Sequence, residues 1–237
     1  MSVYVGLTED EMSFRKVAID GPAGAGKSTI SRAVAEELGY VYIDTGAMYR
    51  ACALKMLRKE IDISGDVNSV IKAMNSTEIE IAHGENGQIV YLDGEDVTGK
   101  IRTAEVSKGA SDIAKIPEVR LKLVDIQRAL AQKCNCIMDG RDIGTYVLPD
   151  ADVKIFLTAS VEERAKRRYA ELVEKGVKTT PEEVLSDMKK RDANDSGREF
   201  APLKQAEDSV LVDTTGNTLE KSVELLKDII IKNLNEI

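Results

Sequence analysis

The sequence predicts an α/β fold: a five-stranded parallel sheet flanked by helices, with a small antiparallel β insert and a helical lid. Three observations carry this. The chain opens with a strand, a glycine-rich turn, a helix, a strand and a helix, the rhythm of a parallel sheet. The rhythm breaks over about 64–100, where short alternating segments surround a glycine-rich turn. It resumes after residue 134 with three further apolar runs.

The elements follow in order. Lys16–Asp20 is a short buried strand. Ile30, Val34 and Leu38 recur at helical spacing after the glycine turn, and Gly39 closes that helix. Residues 40–44 form the second strand and about 47–59 the second helix. Ile79 and Ile81 alternate with Glu78 and Glu80, residues 88–92 pair with them, and residues 83–87 are the hairpin turn. Val119, Leu123, Ile126 and Leu130 mark a helix. Residues 134–138, 153–157 and 209–212 are the remaining strands. Ser160 and Glu163 read as a capping box opening an arginine-rich helix, and Pro181 after Thr180 starts another. A last helix runs from about Thr218. The implied organisation is a tail over 1–15, a core of 16–64, 101–159 and 203–237, an insert over 65–100 and a lid over 160–202.

Composition narrows the chemistry. The net charge of −8 over 237 residues disfavours a general grip on nucleic acid, yet allows a local basic pocket. No apolar run is long enough to span a bilayer, and the start lacks a signal core. Three cysteines fit a reducing cytoplasm rather than a disulfide scaffold. With one histidine in the chain, any histidine-based nucleophilic mechanism would need His83, which falls in the hairpin turn and reads as a solvated side chain. Cys134 and Cys136 read as core residues on one strand face.

The sharpest motif is Gly21, Pro22, Ala23, Gly24, Ala25, Gly26, Lys27, Ser28 and Thr29, which fits G-x-x-x-x-G-K-[ST] between a strand and a helix. Glycines let successive backbone N–H groups face a phosphate at the positive end of a helix. Lys27 reaches the outer phosphates and the Ser28 hydroxyl suits magnesium. The motif alone does not separate a kinase from a GTPase or a motor. Asp213 and Gly216 mimic a GTPase D-x-x-G, but lie far downstream, and no N-K-x-D follows.

Two further clusters leave strand ends, where ligands of open α/β sheets bind. Residues 44–50 offer the Thr45 hydroxyl, the Tyr49 ring and the Arg50 guanidinium; alternatively they are a capped helix with a surface arginine. Residues 139–144 carry Arg141 between Asp139 and Asp142, either an anion site or a salt-bridged loop. A third group, Arg164, Arg167 and Arg168, then Arg191, Asp195 and Arg198, lies at helical spacing. It forms either solvated faces or an arginine lid over phosphates.

Together these residues resemble the bacterial-type cytidylate kinase family, within the nucleoside monophosphate kinases of the P-loop class. The matching stretches are IDGPAGAGKST (19–29), DTGAMYR (44–50), GEDVTGKIRT (94–103), DGRDIGT (139–145), PDADVKIFLTASVEERAKRR (149–168) and KKRDANDSGREFAPL (189–203). The resemblance implies a P-loop kinase core, a monomer, and transfer of the γ-phosphoryl group of ATP to CMP or dCMP. Residues 21–29, with Arg164 and Arg168, would bind ATP. Thr45, Tyr49, Arg50, Ser111, Arg120, Arg141, Asp142, Arg191, Asp195 and Arg198 would bind CMP, with Lys27, Arg141, Arg191 and Arg198 catalytic. Mg2+ would be held by Ser28, nucleotide oxygens and water, Asp139 being either its water-mediated partner or structural. Asp142, with Arg120 and Ser111, would read the base. The alternatives are a kinase for another monophosphate or a small hydroxy acid such as shikimate, and a regulatory nucleotide-binding module.

Overall fold

The structure is a computed structural model and describes residues 14–84 and 87–236. The tail expected over 1–15 therefore lies outside the described residues up to position 13. Arg15 already belongs to the fold: its backbone N–H donates to Asn135 Oδ1 at 2.8 Å and its Nη1 to Asp152 Oδ1 at 2.8 Å.

Five parallel strands form the central sheet: β1 (Lys16–Asp20), β2 (Val41–Asp44), β6 (Cys136–Asp139), β7 (Val153–Thr158) and β8 (Val210–Asp213). Their spatial order is β2-β6-β1-β7-β8. Side chains alternate between two apolar layers, as the pleat requires. Val17, Ile19, Tyr42 and Ile137 face α1 (Lys27–Leu38) and α8 (Leu219–Asn235), where Ile30, Val34, Leu226 and Ile230 complete the layer. Ala18, Ile43, Cys136 and Met138 face the opposite layer. There α2 (Thr45–Arg58), α4 (Ala104–Ile113) and α5 (Pro117–Ala131) supply Met48, Met56, Val106, Ile113 and Leu123. Burial on both faces is why these strands read as continuous apolar runs.

The third strand of the sheet begins two residues later than expected. Cys134 and Asn135 form the turn before it, so the two cysteines do not share a strand face: Cys136 is buried in the core and Cys134 is half-buried. The helix caps differ in one place too. Thr180 and Glu183 form a full capping box on α7 (Pro181–Ser196). At α6 (Val161–Glu174) only half of one forms. Ser160 Oγ accepts from Glu163 N, but the Glu163 carboxylate turns to Arg167, and Ser160 N donates to Thr215 Oγ1.

The break in rhythm is a helix, α3 (Val67–Asn75), followed by an antiparallel three-stranded sheet of β3 (Ile79–Gly84), β4 (Gly87–Leu92) and β5 (Glu95–Asp96). His83, Gly84 and Gly87, expected in the turn, belong to the strands, Gly84 pairing with Gly87; residues 85–86 of the expected turn lie outside the described residues. Helices α6 and α7 pack on one another through Ala165, Val184 and Met188, a small cluster apart from the two main layers. The carboxyl ends of β2, β6 and β1 are Asp44, Asp139 and Asp20, side by side beneath the crevice where a ligand of such a sheet binds.

Candidate active site

The donor end is built from backbone. Gly21 has φ of 146°, and a Cβ there would lie 1.9 Å from the Leu157 carbonyl oxygen, so the turn out of β1 admits only glycine. Gly26 ends the loop in the left-handed region, with φ of 91°, and gives α1 no side-chain cap. The first-turn N–H groups of α1 thus remain available to an anion. Lys27 is buried and folds back over the loop, its Nζ donating to the Gly21 and Pro22 carbonyls at 2.7 and 2.8 Å. Burial, then the nearby Arg141 charge, holds its ammonium well below the usual lysine range.

Ser28 Oγ donates to Asp139 Oδ2 at 2.8 Å, and the Tyr42 hydroxyl donates to Asp139 Oδ1 at 3.1 Å. Burial and the charge of Asp44 push the Asp139 carboxyl up to about 6. Asp20, unassigned by sequence reasoning, joins the loop to its neighbour. Its two oxygens accept from Ile143 N at 2.8 Å and Gly144 N at 2.7 Å, where a π-helical turn (Ile143–Val147) begins. Burial pushes its carboxyl up to about 7.

The acceptor end is built from side chains. Asp44 caps α2 by accepting from Ala47 N, and its other oxygen accepts from Arg50 Nη2 at 2.7 Å. The Thr45 hydroxyl donates to the Asp139 carbonyl at 2.8 Å, so it fixes the start of α2 against β6. Arg120 is fully buried, pairs with Asp142 Oδ2, donates to the Ala114 carbonyl, and lies over the Tyr49 and Phe200 rings at 5.7 and 5.9 Å. Tyr49 is half-buried, and loss of solvent around its phenol raises it above the ordinary range. Arg141 Nε donates to Asp195 Oδ2 at 2.9 Å, and Arg198 donates to the other oxygen of the same carboxylate. The turn over 139–144 is therefore not a salt bridge closed on itself: Arg141 and Asp142 each pair with a distant helix.

Arg191 stands among Arg141, Arg50 and Arg168, and burial together with these like charges lowers its guanidinium to about 10. Four guanidinium Nε atoms, on Arg50, Arg120, Arg191 and Arg198, are buried with no hydrogen-bond partner. Buried unpaired donors are costly and rare in folded proteins.

Arg164 is placed differently from this cluster, and Arg168 only borders it. Arg164 is committed to protein acceptors: the Ala159 and Ala23 carbonyls at 2.9 Å each, and both oxygens of Asp192. It ties α6 to the P-loop and to α7. Arg168 pairs with Glu171 at 2.8 Å on the surface of α6. Ser111 lies on α4, half-buried, one turn before the Ala114 carbonyl that Arg120 holds. His83 is exposed, as expected, but its Nε2 also lies 3.0 Å from the Tyr42 carbonyl oxygen. Sequence reasoning gave no role to Asp20, Asp44, Tyr42, Phe200 or Gln88. Of these, Asp44 had a visible signal, as the N-cap residue ahead of a helix at a strand end.

A parallel sheet with a P-loop leaving its central strand, and arginines gathered beyond the strand ends, defines a P-loop protein. The family model described as cytidylate kinase matches residues 17–232, and the chain belongs to this family. It is 54% identical over 216 residues to a cytidylate kinase from Caldicellulosiruptor saccharolyticus, covering 91% of this chain and 95% of that protein. It is 52% identical over 208 residues to one from Clostridioides difficile, covering 88% and 94%. The crystal structure of an uncharacterized protein from Eubacterium ventriosum superposes with a TM-score of 0.50 at 14% identity, over 94% of this chain and 99% of that one, a likeness of fold. Among the described residues, no helix is long and apolar enough to cross a membrane.

Proposed function

We propose that this chain transfers the γ-phosphoryl group of ATP to CMP or dCMP, giving ADP and CDP or dCDP. The single observation that carries the reading beyond the family is the set of unpaired buried Nε atoms on Arg50, Arg120, Arg191 and Arg198. In this reading Arg50, Arg191 and Arg198 turn these donors to the acceptor phosphate, and Arg120 turns its own to the base. In the reaction, an oxygen of the CMP phosphate attacks the γ-phosphorus as the bond to the β-phosphate bridging oxygen breaks. The attacking oxygen is already anionic, so no protein nucleophile is needed. The protein's work is alignment and charge neutralisation.

Lys27 leaves the two loop carbonyls for the β- and γ-phosphates, and the free N–H groups of α1 hold the β-phosphate. Arg50, Arg141, Arg191 and Arg198 hold the acceptor phosphate, and the last three neutralise charge during transfer. Asp195 keeps Arg141 and Arg198 on one carboxylate, so that they move together with α7. Helices α6 and α7 form the lid that excludes water, with Arg168 approaching the nucleotide and Arg164 keeping the lid attached to the P-loop. The Ser28 hydroxyl and the Asp139 carboxylate, 2.8 Å apart, are the hard oxygen donors that Mg2+ prefers, Asp139 reaching it through water. When bound, Mg2+ would screen the phosphate charges.

For the base, Asp142 accepts from the cytosine amino group, while Arg120 and Ser111 supply donors to the ring-nitrogen and carbonyl side. Uracil presents an oxygen and an N–H where this site needs the reverse. The protein would act as a cytoplasmic monomer, its three free cysteines suiting a reducing compartment. A coupled assay of ADP release with CMP, dCMP, UMP, AMP and GMP tests the reading. CMP and dCMP should exceed UMP by about tenfold or more in kcat/KM, and the purine nucleotides should be poorer still. Preference for AMP or UMP would overturn the substrate assignment. ATP turnover stimulated only by shikimate or another hydroxy acid would overturn the acceptor class.

A further inference from the structure

We infer that Gln88, assisted by His83, is a positioning residue for the acceptor phosphate, acting through Asp44 on Arg50; this rests on the function proposed above. The inner face of the hairpin is apolar along most of its length. Ile79 and Ile81 on β3, and Val90 and Leu92 on β4, face the core layer. By the same alternation the next inward positions are His83 and Gln88, and they are direct cross-strand partners. Polar residues replace apolar ones there because the tip overhangs the outer edge of β2, the terminal strand of the main sheet.

An edge strand leaves alternate backbone groups without partners. Val41 N turns inward and donates to the Asn135 carbonyl, so Tyr42 and Asp44 turn their backbone groups outward. The hairpin meets both. His83 Nε2 lies 3.0 Å from the Tyr42 carbonyl oxygen. The Gln88 amide makes two bonds to one residue: Asp44 N donates to its Oε1 at 2.8 Å, and its Nε2 donates to the Asp44 carbonyl at 3.2 Å. Gln88 thus acts as one more strand residue laid against β2.

The residue it grips is the one that matters for the acceptor. The Asp44 carboxylate caps α2 and holds Arg50, whose Nε is left unpaired. A second arginine, Arg102 on the return segment of the insert, stands 3.9 Å from the same carboxylate oxygen. Beside the grip lies a hollow of about 230 Å³ lined by Arg32, Tyr42, Asp44, Gln88, Thr98 and Arg102. Apolar packing does not fill this corner, so the amide bonds fix where the end of β2, and with it the Arg50 fork, is held.

Gln88→Met keeps the length of this half-buried side chain and removes both bonds. We expect KM for CMP to rise about tenfold, with kcat and KM for ATP changed by less than about twofold. His83→Leu should give a smaller rise, about threefold, because it removes a single bond one residue pair further from Asp44. The same Gln88→Met change made in an Arg50→Ala background should raise KM for CMP by less than about twofold, because the group being positioned is gone. An unchanged KM in Gln88→Met overturns the inference, as does an equal rise for ATP, or an undiminished effect in the Arg50→Ala background. If Gln88→Met fails to fold, hydrogen exchange of the Asp44 amide in the wild type decides. Protection that deepens with CMP supports the grip; fast exchange in both states overturns it. The comparison is read on whichever monophosphate the wild type turns over, so a wrong base assignment and a wrong grip give different results.

Discussion

The two ends of the site are made differently. At the donor end the polar side chains are satisfied from within: Lys27 spends its donors on the loop carbonyls, and Ser28 spends its proton on Asp139. At the acceptor end arginines from four separate segments meet three carboxylates, Asp44, Asp142 and Asp195, and among the described residues keep four Nε atoms unpaired. A loop made of backbone is rigid before its ligand arrives. A cluster of like charges, with Arg191 held down to about 10 by burial and its neighbours, gains most from the ligand itself. The donor end should therefore respond to mutation mainly in the rate of transfer, the acceptor end mainly in binding and choice of substrate.

The largest effect tests the donor half of this contrast. Lys27→Ala should lower kcat/KM by about a hundredfold or more, because the ammonium stands where charge moves during transfer. The thermal midpoint should stay within a few degrees. Near wild-type activity in a folded Lys27→Ala protein would remove the P-loop from the chemistry.

Arg50→Ala tests the acceptor half. KM for CMP, dCMP and UMP should rise together, by about tenfold or more, since the guanidinium addresses a phosphate common to all of them. A loss confined to kcat, with KM unchanged, would mean that the acceptor end resembles the donor end after all.

Asp142→Asn sharpens the contrast within the acceptor end. The variant amide can donate to uracil, so the CMP/UMP ratio of kcat/KM should fall by several-fold while the phosphate contacts survive. Arg120 complicates this, because it is fully buried and Asp142 is the carboxylate it pairs with. Asp142→Asn keeps an oxygen for that bond, whereas Asp142→Ala would leave a buried guanidinium uncompensated and confound stability with selectivity. An unchanged ratio in Asp142→Asn would make Asp142 a structural partner of Arg120 and place the base reader elsewhere.

The same contrast explains how much of the molecule could be read from its sequence. The P-loop was legible because a backbone cradle needs its glycines, lysine and serine at fixed consecutive spacing. The five strands were legible because burial on both faces makes apolar runs, and the largest displacement of a start, at Cys134, followed from a cysteine that looks apolar in a turn. The arginines were visible as residues, but their partners were not, since Arg141 with Asp195 and Arg120 with Asp142 are joined by the fold across 54 and 22 positions. Only resemblance to a family assembled them. Gln88, His83 and Asp20 left no pattern at all, because each satisfies the backbone of a distant segment, and such a task puts no periodicity into the sequence.

Asp20 is where the two ends meet, and it carries the smallest predicted effect. It ends β1, directly before the loop, and accepts both N–H groups that open the turn after Arg141 and Asp142. Burial is the main cause that raises its carboxyl from 3.8 to about 7; the two N–H bonds and Lys27 oppose this, and Asp142 adds to it. Between these values the folded chain holds a proton that the unfolded chain has released. This contribution to stability is full below pH 3.8 and is lost as pH rises through about 7. Asp139, raised to about 6, behaves alike but is common to wild type and variant. Asp20→Asn cannot titrate, and its amide repels one of the two N–H groups, so its absolute midpoint says little. The slope is the test. From pH 5 to pH 8, without nucleotide, the wild-type midpoint should fall relative to Asp20→Asn by a few degrees, since 1 kcal/mol moves Tm by about 2–4 °C in a chain of this size. Parallel curves would mean that the carboxylate is ionised throughout and the two N–H bonds outweigh burial; the seam between the two ends would then be a fixed charge rather than a titrating one.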